Sequence, residues 1–333
     1  MLLDVSIEFP NIGLVFKNLP NSFTIFGYRI AFYGVIIMIG AILGMLIAFH
    51  EAKITGQNVE HYVDLAIYGL VFAIIGARIY YVIFEWDYYS AHPSEIINIR
   101  NGGLAIYGGV LAALAVCFVL SKIHKIPFLK MADTGILGLI TGQIVGRWGN
   151  FFNREAFGGD TDSFFAMRIN VDDGIVKVNV PASVTVTDGF IQVQPTFLYE
   201  SFLNLVVLTL MLIFRKKKKF HGEVLAWYLG GYGIVRMIIE PMRTDQLLIP
   251  GTSIPVSFVL SAILVVVAVC IVVVGRVKCR GKETPVFYPE IPKVNKKEMK
   301  EREAAALDAL KKTESSSSNE ANTYYEKMMK EKE

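Results

Sequence analysis

The sequence predicts an all-α polytopic membrane protein of about seven transmembrane helices, with the N-terminus outside, the C-terminus cytoplasmic and a small external β-containing cap. Three observations carry this prediction: apolar runs close to the length of a bilayer crossing, an alternation of basic and acidic connections between them, and one long polar connection that reads as strands. The 333 residues are 53% hydrophobic and mean hydropathy is +0.45. The apolar residues arrive in long runs rather than in the interrupted periods of a soluble core.

Runs of roughly 17–21 residues match the ~30 Å hydrocarbon thickness of a bilayer. They occupy residues 30–49, 65–84, 104–120, 197–214, 223–242 and 256–275. A weaker seventh covers 131–148, where Gly138, Gly142 and Gly146 recur at every fourth position. That spacing lets another helix approach closely, so this run reads as a buried central helix. Lys53, then Lys122, Lys125 and Lys130, then the run Arg215 to Lys219, then Arg276, Lys278 and Arg280 follow alternate spans. Basic residues in short loops mark the cytoplasmic side, and only an odd number of spans keeps this alternation.

Three regions follow: an external N-terminal segment (1–29), a seven-helix membrane domain (30–275) and a charged, disordered cytoplasmic tail (276–333) with an expected helix at 296–312 and a serine run at 315–318. Within the membrane domain, about 151–196 forms the cap, where MRINV, IVKVNV and SVTVT alternate like strands separated by Asp-Gly turns. The start lacks the basic-then-apolar pattern of a cleaved signal, so the first span is expected to stay in place. Cys117 and Cys270 lie inside apolar runs and Cys279 follows one, offering neither CxxC spacing nor an outer-surface set. No disulfide, metal or cofactor is expected, and a net charge of +3 without a basic-aromatic groove gives no reason to expect nucleic acid.

Charge inside a bilayer is costly and marks function or pairing. In the sixth run Tyr232, Arg236, Glu240 and Arg243 follow at offsets of four, four and three, a stripe on one helix face in which one carboxylate meets two guanidiniums. An ion-paired packing stripe is the alternative. The fourth run ends GRWGNFFNREAFGG, with Arg147 and Asn150 one turn apart and Asn153, Glu155 and Gly158 following. Arginine offers phosphate a planar fork and the amides can hold hydroxyls, whereas a capped helix end would account for Arg147 and the glycines alone. In GGLAIYGG, Gly102 to Gly109, the glycines suit either phosphate approach or helix packing. Tyr107 in that run and Tyr33 in the first are candidate donors to a head group, or belt tyrosines. Arg78 is expected to pair with Glu85 or Glu240 or to snorkel, and Glu200 stands unusually deep, one turn inside its run. Only His92 lies on the outer side, away from these motifs, so a histidine base is not expected.

With these residues in place, the chain resembles the prolipoprotein diacylglyceryl transferases of bacterial inner membranes. The likeness rests on GRWGNFFNREAFG, supported by YRIAFYG, GARIYYV, GGLAIYGG, QPTFLYE and GYGIVRMIIEPMRTD. It implies transfer of the diacylglyceryl group of phosphatidylglycerol to the lipobox cysteine of a preprolipoprotein signal peptide, forming a thioether and releasing glycerol phosphate. It also implies that Arg147 holds the phosphate, that Asn150, Asn153, Glu155 and Gly158 shape the site, that Arg236 and Arg243 clamp it, and that Tyr33 matches the family's first-span tyrosine. Tyr107 stands where some members carry His, so a mechanism using that His as base does not transfer unchanged. The alternative is a phospholipid or anion transporter with an outward-facing arginine site, although transporters are commonly built from repeats around a midplane site.

Overall fold

The computed structural model describes residues 5–99, 102–282 and 285–289. Eight α-helices occur among these: α1 (Phe32–Ile54), α2 (Glu60–Phe84), α3 (Trp86–Ala91), α4 (Ile106–Ile123), α5 (Phe128–Asn153), α6 (Thr196–Phe214), α7 (Glu223–Ile239) and α8 (Val256–Cys279). Six of them, α1, α2, α4, α5, α6 and α8, are long and apolar enough to cross a membrane. The sixth expected span becomes α7, which has 17 residues and is about 26 Å long. It stops at Ile239 rather than 242 because Pro241 has no amide proton to continue the helix, and a 3-10 turn, Glu240–Met242, follows. The expected helix at 296–312 and the serine run at 315–318 lie outside the described residues.

Close helix contacts are made by small residues. The α5 glycines face α1, where a Cβ on Gly44 would stand 2.4 Å from the Gly138 oxygen and one on Gly40 3.1 Å from the Gly142 oxygen. The second glycine pair of GGLAIYGG has the same role against α2, where a Cβ on Gly108 would lie 2.3 Å from the Gly76 oxygen. That favours the packing reading for these glycines. Besides α1, α5 touches α4, α6 and α7, so it has neighbours on several sides.

The first helix begins at Phe32 because the preceding residues pair as a hairpin, β3 (Ser22–Ile25) with β4 (Tyr28–Ala31). Phe26 and Gly27 both take positive φ in its two-residue turn. The larger sheet has five antiparallel strands in the order β2-β1-β5-β7-β6: β1 (Val5–Phe9), β2 (Leu14–Lys17), β5 (Met167–Asn170), β6 (Val186–Thr187) and β7 (Phe190–Val193). MRINV becomes β5, SVTVT contributes only the two residues of β6, and IVKVNV makes no strand. Val176 and Val178 alternate as expected and are buried, but this stretch meets the neighbouring backbone in little more than one bridge, Asp172 with Lys177. Two strands come from the segment expected to stand apart at 1–29, with Ile7 opposite Ile169.

This sheet is fastened to the ends of two helices. Ile7, Ile169, Ile191 and Val193 are fully buried in one cluster with Phe151 of α5 and Phe197 of α6. Arg154, at φ 55 just past α5, donates to the Leu19 carbonyl at 2.8 Å and pairs with Asp173 at 2.8 Å, both side chains being at most 2% exposed. Burial pushes the Asp173 carboxyl up, but Arg154, the Ser6 hydroxyl and the amides of Val176 and Ile175 outweigh it and hold the group well below the usual carboxylate range. At the opposite end of the bundle the buried Asp133 accepts from Lys218 at 3.2 Å and from the amides of Gly222 and Leu225, both at 2.9 Å. Part of the basic run is thus paired inside the protein.

Candidate active site

The end of α5, the start of α6 and the end of α7 meet where the sheet is anchored. The left-handed Arg154 turns the chain out of α5, with its amide bonded to Phe151 and that of Glu155 to Asn150. This return brings Glu155 back beside the helix. Asn150 and Asn153 both donate to Oε1 of Glu155, at 3.1 and 3.2 Å, so the paired amides hold a carboxylate in place.

From α6, Glu200 enters at 1% exposure and takes two arginines from two other helices. Arg147 Nη2 lies 2.7 Å from its Oε1 and Arg236 Nη1 lies 3.2 Å from its Oε2. The other terminal nitrogen of Arg236 bonds Glu240 on the next turn. Among the described residues Arg147 has no partner besides Glu200, and its side chain is 22% exposed. It therefore retains donors for an anionic ligand in a site whose burial strengthens such contacts.

Three expectations need correction here. The predicted four-residue stripe breaks at Pro241: Arg243 is extended, with ψ 146, and forks onto Asp245 at 2.9 and 2.6 Å. The expected excess of guanidinium over carboxylate also changes, because Glu200 and Asp245 join Glu240 in facing Arg147, Arg236 and Arg243. Arg78 pairs with neither Glu85 nor Glu240. It donates to the carbonyls of Ile96, Gly102, Gly103 and Glu95 at 2.7–3.1 Å and lies over the Tyr89 ring at 5.0 Å, holding the turn that leads into α4.

Gly158 ties the loop after α5 to both neighbouring helices. Its amide donates to Gln194 at 2.9 Å, Gly159 donates to Met242 at 3.1 Å, and Gly158 bridges Arg243 in antiparallel fashion. A Cβ at Gly158 would stand 2.8 Å from both the Gln194 Cβ and the Met242 oxygen. Only a hydrogen fits there. The Tyr33 ring lies against Gly149, where a Cβ would be 2.5 Å away, within reach of the charges of Glu155 and Arg147. Tyr232 stacks on Tyr228 with centroids 5.6 Å apart, and Tyr228 bonds Gln143. Tyr107 opens α4, half-buried, 6.4 Å from the Tyr80 ring and within electrostatic reach of Tyr232. Ten of the eleven expected positions lie in the outer turns of α1, α4, α5 and α7 or in the segments that follow α5 and α7, while Tyr232 sits midway along α7.

Sequence reasoning singled out Glu200 for its depth but missed its role. The signal was present: α6 carries no basic residue before Arg215, so a buried carboxylate must find its cations on other helices.

Residues 20–274 match the family model described as prolipoprotein diacylglyceryl transferase. The chain is 44% identical over 229 residues to the phosphatidylglycerol–prolipoprotein diacylglyceryl transferase of Finegoldia magna, covering 68% of this chain and 85% of that one. It is 43% identical over 228 residues to the Clostridioides difficile protein of the same name, covering 68% and 84%. With the Listeria monocytogenes protein, again of that name, identity is 39% over 271 residues, covering 81% and 93%.

Proposed function

The chain belongs to the prolipoprotein diacylglyceryl transferase family, and we infer from its arginine site how it performs that transfer. It is a multi-pass membrane enzyme that moves the diacylglyceryl group of phosphatidylglycerol onto a prolipoprotein. The transport alternative finds no support among its relatives.

The acceptor in our reading is the lipobox cysteine of a preprolipoprotein signal peptide. Its sulfur forms a bond to the glyceryl carbon, the bond from that carbon to the phosphate oxygen breaks, and the electron pair leaves with glycerol phosphate. The thiol proton passes to Tyr107, Glu155 or water. Charge builds on the departing phosphate, so donors aimed at it lower the barrier; removal of one such donor costs about 10²–10³ in turnover. The supporting observation is that Arg147 and Arg236 converge on Glu200 while Arg147 keeps donors to spare. Tyr232, Glu240 and Arg243 complete the clamp, and Tyr33, Asn150, Asn153, Glu155 and Gly158 shape the pocket.

We further propose seven crossings, with α7 as the short one, in the bacterial cytoplasmic membrane. Two lines of reasoning support this. Strands β1 and β5 pair, so an even number of crossings separates them, and α1, α2, α4 and α5 supply four. With α6, α7 and α8 added, the basic inner loops and the arginine site fall on opposite sides. The sheet is then the external cap of a 30–275 catalytic domain, and the tail from 276 lies in the cytoplasm. Purified protein supplied with phosphatidylglycerol and a lipobox peptide is expected to yield a thioether-linked diacylglyceryl peptide. Arg147→Ala is expected to abolish that product, and near-normal turnover would remove Arg147 from the site.

A further inference from the structure

A groove of about 1110 Å³ runs between α6, α7 and α8 at the end of the bundle opposite the arginine site. It exceeds the roughly 300–1,000 Å³ of a pocket for a drug-sized ligand. Val207, Ile234 and Val269 wall it with aliphatic surface, and Gly230 and Gly231 on α7 and Ala268 on α8 also line it. The helices close tightly at these glycines, a Cβ on Gly231 standing 2.6 Å from Val207 and one on Gly230 3.2 Å from Ala268.

The charges at this groove all have one sign. Lys216, Lys217, Lys219 and Arg276 line one end and no carboxylate lines any part of it among the described residues. Lys216 and Lys217 are exposed, in the 3-10 turn that follows α6. Arg276 gives one nitrogen to the buried Glu223 at 2.6 Å, yet its side chain is 52% exposed. An apolar trough ending in solvated cations matches the two halves of an anionic amphiphile: acyl chains along the helices, phosphate at the rim. A zwitterionic lipid would bring its own cation to the same rim.

We propose that this groove is a second lipid site, which holds an anionic phospholipid of the leaflet facing away from the arginine site. Its acyl chains lie along α6, α7 and α8, and its phosphate meets Lys216, Lys217 and Arg276. The site is separate from the transfer chemistry, because Lys216 and Arg276 stand at the far ends of α6 and α8 from Glu200 and Val256.

Trp227 lines the groove and reports on it directly. The chain has three tryptophans, so the W86F/W148F variant of the full chain leaves Trp227 as the sole emitter. In nanodiscs of mixed composition, phosphatidylglycerol with brominated acyl chains is expected to quench Trp227 at several-fold lower mole fraction than brominated phosphatidylcholine. Each exposed lysine contributes a factor of about five to such a preference. Adding K216Q/K217Q is expected to remove most of that difference, leaving at most the factor of about five that Arg276 sustains. In the otherwise native chain the same pair of substitutions should leave diacylglyceryl transfer unchanged, which serves as the check on folding. Equal quenching by the two lipids from the outset, or a preference that K216Q/K217Q leaves undiminished, would overturn the proposal and leave only ordinary lipid contact.

Discussion

Arg147 on α5 and Arg236 on α7 share the two oxygens of one carboxylate, that of Glu200 on α6. Three helices are joined at one buried point, so its removal is felt both in folding and in chemistry. Glu200→Gln keeps the shape but leaves two guanidiniums without their common counter-charge. Breaking a buried pair of this kind costs about 3–5 kcal/mol. The expected outcome is a clear fall in Tm together with a loss of about 10²-fold or more in kcat. Thermal melts and the peptide assay measure the two, and wild-type values for both would show that the shared carboxylate does not organise the arginines.

Adjacent glycines make an internal control. A methyl at Gly158 collides at 2.8 Å with two groups, whereas one at Gly159 meets nothing within 4 Å. Gly158→Ala is expected to destabilise by about 1–3 kcal/mol and to lower turnover. Gly159→Ala is expected to be close to neutral in both. Equal effects from the two would contradict the packing described for this loop.

Proton removal from the acceptor thiol is assigned by a pair of variants. If Tyr107 takes the proton, Tyr107→Phe is expected to lower kcat by about 10²-fold or more, and by more than Glu155→Gln does. If Glu155 takes it, the larger loss falls on Glu155→Gln. Near-wild-type kcat in both variants assigns the step to water.

The Arg154–Asp173 pair predicts how the sheet responds to acid. Burial raises the Asp173 pKa, the Arg154 pair and three further hydrogen bonds lower it, and the net shift is downward. An unfolded aspartate near 3.9 therefore binds protons that the folded one refuses. The stability from this pair is fully present above about pH 4–5 and is lost as pH falls through and below the unfolded value. Melts of the wild type and of Asp173→Asn are expected to differ most near neutrality and to converge as pH drops below about 4. A gap that stays constant would separate Asp173 from the acid response.

The helices were legible because a bilayer imposes a length: ~20 apolar residues are needed wherever the chain crosses, and little else in a protein requires them. The α5 glycines were legible for the same kind of reason, since close helix approach leaves a periodic mark in the chain. Neither rule reaches Val5–Phe9, a five-residue strand whose partner in β5 is distant in the sequence and leaves no trace beside it. Arg78 was misread because a charge near a membrane suggests another charge, whereas this one is satisfied by four backbone carbonyls and an aromatic face. Arg243 was misread because helical spacing was carried past Pro241. Glu240 and Arg236 are neighbours in space because the turn between them is helical, and their pairing needed only an offset of four.

Strand order has a consequence for the timing of synthesis. Glu8 of β1 is joined to Arg168 of β5, 160 positions later. At roughly 5–20 residues per second the ribosome needs about 8–30 s to make the chain between them. The earliest strand is thus made first and seated late, after four hydrophobic helices have entered the membrane, and until then its hydrogen-bonding edge toward β5 is open. Any partner that guards the nascent N-terminal segment has that interval in which to act, and a bulky fusion placed there would be tested at the moment β5 arrives.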